Sequence, residues 1–135
     1  MLRGSCLCGS VRYEIRGSLE RITHCHCSQC RKVHGAAFGS YAPVHRTEFR
    51  FVAGEGDVAE YASSPGVQRT FCRRCGSTLQ FVRASKPDGF WLAVGTLDTD
   101  PGIRPSHHIF VGSKAPWFEI TDGSPQYEQR KPVAG

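Results

Sequence analysis

The sequence predicts a single, mainly β (all-β class) domain, and three observations carry that expectation. Its 135 residues suffice for one domain and fall short of two. Fifteen glycines and eight prolines break up the apolar residues, which favours many short strands joined by turns over long helices. Between the breaks, apolar and polar residues alternate with the two-residue period of a half-buried strand.

The elements follow in order. Ser10 to Arg16 alternates and ends at Gly17-Ser18, and Ile22 to His26 forms a second short strand that runs into a cysteine loop. Ser28 to Val33 can make one helical turn, with Ser28 as its N-cap and Gly35 as its stop. Phe38 to Val44 reads as a strand in which Pro43 marks an edge or a bulge. Glu48 to Val52 alternates again, Gly54 to Asp57 turns the chain, and the strand Val58 to Ser63 ends in the turn Ser64-Pro65-Gly66. Gln68 to Phe71 leads into the last cysteine cluster. Thr78 to Arg83 and Phe90 to Val94 are strands, Gly95 to Gly102 is a loop, and His107 to Val111 is a late strand. Ala115 to Phe118 is expected to contact the body, and the polar, proline-containing tail after Asp122 to be loosely ordered. The folded unit is therefore drawn over residues 2–120, with 121–135 as a C-terminal tail.

No apolar run approaches the roughly 18 residues of a membrane span, so no membrane partner is expected. Met1 to Cys6 contains no apolar h-region. The expected compartment is the cytoplasm, where thiols stay reduced and clustered cysteines point to metal binding or catalysis. The formal charge of +5 suggests nucleic acid, but metal binding removes most of it. Seven thiolates contribute −7 and two divalent ions +4, which leaves +2. Arg73 and Arg74 lie between two cysteines, and Arg31 and Lys32 follow another, so these cations offset thiolate charge better than they track a phosphate backbone.

The seven cysteines fall into three clusters: Cys6-Leu7-Cys8-Gly9, Cys25-His26-Cys27-Ser28-Gln29-Cys30 and Cys72-Arg73-Arg74-Cys75-Gly76. The C-x-x-C-G cluster has the spacing of a zinc knuckle, in which Gly76 permits the tight turn that brings both sulfurs onto one ion. The C-x-C-G cluster carries a glycine in the same place, so Cys6, Cys8, Cys72 and Cys75 can close a tetrahedral structural site across more than 60 residues. Cys25, Cys27 and Cys30 remain, and no eighth cysteine exists to complete their shell. Three protein ligands with one exchangeable position describe a catalytic zinc. Two zinc ions per chain are expected, the second held less securely than the first. Disulfides are the competing reading, but seven is an odd number and adjacent C-x-C pairs bridge poorly. The middle cluster could also be a closed structural site completed by His24, His26, His34, His107 or His108.

With these segments in order, the chain resembles the glutathione-dependent formaldehyde-activating enzyme family, which includes centromere protein V-like domains. The resemblance rests on Cys6 to Tyr13, Cys25 to Arg31, Arg69 to Ser77, Gly95 to Asp98, and His108 to Phe110 followed by Trp117. It runs in order from about residue 2 to residue 120. It implies a β-rich, tent-like fold of packed antiparallel sheets, structural zinc at Cys6, Cys8, Cys72 and Cys75, and catalytic zinc at Cys25, Cys27 and Cys30. It also implies the family's reaction, which joins formaldehyde and glutathione to S-hydroxymethylglutathione, formally a carbon–sulfur lyase in reverse.

The expected partner is thus a small-molecule thiol or a thiol–aldehyde adduct, brought to neutral-pH reactivity at the open zinc position. A proton carrier is required, for which His26, inside the cluster, is the first candidate and His107 and His108 are the others. Tyr41, Phe38 and Trp117 could line a pocket or belong to the core, and Asp98 is expected to cap its loop. Two other functions compete. One is a non-enzymatic zinc module that binds a protein or nucleic acid. The other is a thiol or metal sensor that loses its second ion on oxidation.

Overall fold

The computed structural model describes residues 1–132. Within them the chain forms β1 (Leu2–Ser5), β2 (Arg12–Ile15), β3 (Ile22–Cys25), α1 (Ser28–His34), β4 (Gly39–His45), β5 (Phe49–Ala53), β6 (Val58–Ser64), β7 (Val67–Cys72), β8 (Thr78–Arg83), β9 (Gly89–Ala93) and β10 (Pro105–Ile109). The mainly β expectation holds, and α1 is the α-helix among the described residues.

Two sheets make the body. A three-stranded sheet has the order β1-β2-β5, and a seven-stranded sheet has the order β10-β3-β4-β9-β8-β7-β6. All pairings are antiparallel except β10 with β3, which run parallel with a shift of register between Pro105 and His107. The core forms where the sheets face each other. Leu2, Tyr13 and Ile15 from the small sheet meet Ile22, Ala42, Val44, Phe90 and Leu92 from the large one, each large side chain contributing roughly 2 kcal/mol of burial free energy.

β1 went unrecognised in the sequence because Leu2 is its only large apolar side chain, which gives alternation nothing to register. Its pairing partner supplies the order: Leu2 lies opposite Ile15 and Gly4 opposite Tyr13. Pro43 fits its strand because β3 pairs with β4 only up to Tyr41, leaving Pro43 paired on one side, opposite Trp91 of β9.

Three expectations are corrected. The helix N-cap is Cys27, one residue before Ser28, because the Cys27 sulfur accepts the Cys30 N–H at 3.2 Å and takes the capping role. Gly35 ends the helix as expected, in the left-handed region at φ 60°. Trp117, weighed as a pocket or core residue, is neither, since it is 70% exposed, while the expected contact of Ala115 to Phe118 with the body is made by the fully buried Ala115. The residues after Asp122 are not loose. The N–H groups of His108, Phe110 and Val111 donate to the carbonyls of Pro125, Gln129 and Tyr127, and the Tyr127 N–H donates to the His108 carbonyl. A polar composition hid this because the attachment uses backbone groups, and its effect is to cover the free edge of β10. The last residues of the expected tail, 133–135, lie outside the described residues.

Candidate metal centres and active site

The first centre is built from two matching loops. Cys6 and Cys8 lie on the turn after β1, while Cys72 ends β7 and Cys75 sits on the turn that leads to β8. In each turn a glycine N–H returns to the first cysteine carbonyl, Gly9 to Cys6 at 3.0 Å and Gly76 to Cys72 at 2.8 Å. Both glycines sit at positive φ, 79° and 80°, a conformation side-chain-bearing residues avoid. The loops are locked together by the Leu7 N–H, which donates to the Ser77 hydroxyl at 2.9 Å.

The four sulfurs all lie within 4.8 Å of one another. A zinc–sulfur distance of about 2.3 Å places tetrahedral ligands about 3.8 Å apart. The Cys6–Cys8 and Cys8–Cys72 separations, 3.6 and 3.9 Å, bracket that value. Backbone N–H groups of Val11 and Arg74 point at the sulfurs of Cys6 and Cys72. The Ser77 hydroxyl, with the N–H groups of Ser77 and Cys8, holds Cys75 down to about 5. Such a donor set fits a divalent ion that binds four thiolates. Arg73 and Arg74, expected to offset this charge, pair with Asp57 at 3.7 and 3.1 Å and stay mostly exposed.

The second centre comes from one short segment. Cys25 ends β3, Cys27 caps α1, and Cys30 lies one turn into it. Their sulfurs also lie within 4.8 Å of one another, and no His, Asp or Glu among the described residues joins them at that range. All seven cysteines are free thiols, so neither the disulfide reading nor a histidine-completed shell describes this arrangement.

Without an ion the three thiols share a single negative charge. Hydrogen bonds from the Cys25 and Cys30 thiols, with the Cys30 N–H and the Arg69 charge, hold Cys27 down to about 2 against its burial. The same hydrogen bonds push Cys25 upward, because its proton is the one being shared. Only a cation lets all three ionise together, which is the chemistry of a metal-binding set.

Cys25 and Cys30 pack with Tyr41 and Ala93, backed by Phe81, Trp91 and Phe110. Beside them runs a hydrogen-bonded chain the sequence did not announce. The Arg69 guanidinium donates to the Tyr41 hydroxyl at 3.4 Å, and that hydroxyl lies 2.7 Å from Nε2 of His34. With Tyr41 accepting from Arg69, its own proton is free to go to Nε2 of His34 in the tautomer that carries the ring proton on Nδ1. Burial and then the Arg69 charge push His34 below the usual histidine range, and burial pushes Tyr41 up, so both are neutral near pH 7. His34 and Ala93 also line a cavity of about 430 Å³ between the C-terminal end of α1 and the Gly76–Thr78 turn of the first centre.

The other histidines form a separate cluster. His24 lies opposite Ser40 and bonds its hydroxyl at 2.9 Å, whereas Cys25 lies opposite Gly39 and Tyr41 opposite Thr23. Nε2 of the fully buried His26 lies 2.7 Å from Nδ1 of His108, and Nε2 of His108 lies 2.7 Å from the Asp122 carboxylate. Phe38 and Phe118 pack on these rings. His26 therefore contributes no ligand atom to the trio that flanks it in sequence. His107 and His108, adjacent in β10, are both buried, with the ring of Tyr127 packed edge-on against His107. Asp98 behaves as a loop anchor, accepting the Ser5 hydroxyl at 2.6 Å.

The sequence profile of the glutathione-dependent formaldehyde-activating enzyme family matches residues 1–113, which include both cysteine centres. This chain belongs to that family. A Rhodobacter sphaeroides protein of known crystal structure has the same fold, with a TM-score of 0.61 and 26% identity, covering 76% of this chain and 91% of the other. An uncharacterized lyase of Schizosaccharomyces pombe is 27% identical over 89 residues, 66% of this chain and 63% of its own length. A Podospora anserina protein provisionally named as a glutathione-dependent formaldehyde-activating enzyme is 34% identical over 89 residues, 64% of this chain and 41% of its own. The chain thus spans less than two thirds of both curated relatives. The two cysteine sets of this chain are groups that could hold metal ions. No described helix is long and apolar enough to cross a membrane.

Proposed function

We propose that this protein is a zinc-dependent carbon–sulfur lyase acting on adducts of formaldehyde with a small-molecule thiol, of the S-hydroxymethylglutathione kind. The observation that carries the reading is the trio Cys25, Cys27 and Cys30, which converges on one point with no fourth protein donor among the described residues. In this reading Cys6, Cys8, Cys72 and Cys75 hold a structural zinc, and Cys25, Cys27 and Cys30 hold a catalytic one that exchanges more readily. The reduced thiols suit the cytoplasm.

When bound, the metal at the trio supplies a positive centre that favours the thiolate form of a substrate sulfur. The rest falls to the chain. In the breakdown direction the carbon–sulfur bond breaks, its electron pair goes to sulfur, and the hydroxyl proton leaves as the carbonyl forms. Tyr41 and His34 are assigned that proton, because Tyr41 packs against the trio and its hydroxyl is bonded to Nε2 of His34, which opens onto the cavity. In the joining direction Tyr41 returns a proton to the developing alkoxide. His26 is assigned a positioning role, holding the segment between Cys25 and Cys27 through its bond to His108.

The test mixes zinc-loaded protein with formaldehyde and, in turn, glutathione and smaller thiols, and follows adduct interconversion by NMR exchange. The expected result is acceleration with at least one thiol and a loss of at least about a hundredfold in Cys27→Ser. Equal rates for wild type and Cys27→Ser overturn the reading.

A further inference from the structure

We infer that Arg69 is the buried counter-charge of the three-cysteine centre and sets how tightly that centre holds a divalent ion. The inference deepens the proposed function and rests on it. Arg69 lies in the middle of β7 and is only 4% exposed. A guanidinium is always charged, and burying one without an opposite charge is costly. Among the described residues no carboxylate comes within 4.0 Å of it. Its hydrogen-bond partners are all neutral: the Ser63 hydroxyl at 3.2 Å, the Tyr41 hydroxyl at 3.4 Å and the Gln29 carbonyl oxygen at 3.3 Å. The ring of Phe81 lies under it at 4.8 Å.

The missing negative charge is beside it. Gln29 sits between Cys27 and Cys30, and Tyr41 packs on Cys25 and Cys30, so two of the three partners fix the guanidinium against the trio. Three thiolates around one divalent cation sum to −1, which the +1 of Arg69 neutralises. The four-sulfur centre sums to −2 and is served instead by exposed Arg73 and Arg74, which are already paired with Asp57. Burial of charge thus distinguishes the centres: solvent screens the structural one, whereas the reactive one depends on a single internal cation. When a substrate thiolate adds a further negative charge at the trio, Arg69 limits the total to −1, where it would otherwise reach −2.

The test measures zinc per chain and the affinity of the second, weaker ion by competition with a chromophoric chelator, with retention of the first ion reporting an intact fold. Arg69→Gln keeps a polar amide donor at this position and removes the charge. Its second ion is expected to bind about a hundredfold more weakly. Ser63→Asp supplies a carboxylate next to Nε of Arg69 without touching the arginine and is expected to weaken the second ion about tenfold, whereas the isosteric, uncharged Ser63→Asn leaves it unchanged. Unaltered affinity in Arg69→Gln, or equal affinities in Ser63→Asp and Ser63→Asn, overturns the inference. A wild-type chain that binds only one ion instead overturns the functional reading beneath it.

Discussion

The two cysteine centres differ in how far the chain travels to make them. The three-sulfur centre is assembled within one strand end and one helical turn. The four-sulfur centre joins Cys8 to Cys72, 64 residues apart, and thereby ties the small sheet to the large one. A local centre can empty without changing the path of the chain. A long-range centre cannot, because its ligands are also the cross-link between sheets. Under the proposed function, similar donors then serve opposite ends: one centre would stabilise the fold, and the other would be free to be incomplete.

The sharpest way to break that contrast is to remove one sulfur from each. Cys72 is fully buried, at the end of β7, with Cys6, Val11 and Leu79 around it. Cys72→Ser is expected to abolish the cooperative thermal transition, since structural zinc in small domains contributes on the order of 10 kcal/mol of apparent binding free energy. Cys27→Ser is expected to keep that transition within about 2 kcal/mol of wild type while losing the second ion. Thermal unfolding by circular dichroism decides, and comparable destabilisation of the two variants removes the distinction.

The same contrast explains what was legible in the sequence. Both cysteine sets could be read from spacing because their members lie on short local segments: Gly9 and Gly76 mark the two turns of the four-sulfur set, and the trio spans one strand end and one helical turn. Arg69, Tyr41 and His34 could not be read together, because they come from β7, β4 and α1 and meet only through strand pairing and packing. A charged residue inside a strand of otherwise ordinary pattern, as in Val67-Gln68-Arg69-Thr70-Phe71, was the one available signal. The N-cap was misplaced by one residue because a cysteine was not weighed as a cap, and the tail was misjudged because backbone hydrogen bonds leave no trace in composition.

A smaller test compares the two loops of the structural centre. A Cβ at Gly9 or at Gly76 would meet nothing within 4 Å, so substitution by alanine costs only the strain of positive φ. Gly9→Ala and Gly76→Ala are each expected to cost about 1–2 kcal/mol, and by similar amounts if the loops are equivalent. Urea midpoints measure this. A loss several times larger at Gly76 than at Gly9 would show that the knuckle between β7 and β8 carries the centre and the N-terminal loop only completes it.

The smallest effect separates the centres by pH, because the histidine cluster adjoins the trio in sequence and not the four-sulfur loops. Burial pushes His24 down to about 4, with the neighbouring His108 adding to the shift and Asp122 opposing it. His26 is pushed to about 4 by burial and then by His108. In the unfolded chain both return to about 6.5. Between pH 6.5 and 4 the unfolded state therefore binds more protons than the folded one, so stability is complete above 6.5 and falls as the pH is lowered through that window. His24 is partly exposed, and solvent screening limits its share to about 1 kcal/mol. Urea unfolding of zinc-loaded protein at pH 7 and pH 5 should show His24→Gln losing about 1 kcal/mol less than wild type over that interval. Thiolate protonation weakens metal binding equally in both proteins, so it cancels in the difference. Parallel losses would mean that the acid sensitivity lies in the sulfur centres alone, and that the imidazole cluster beside the trio contributes packing without a proton-linked cost.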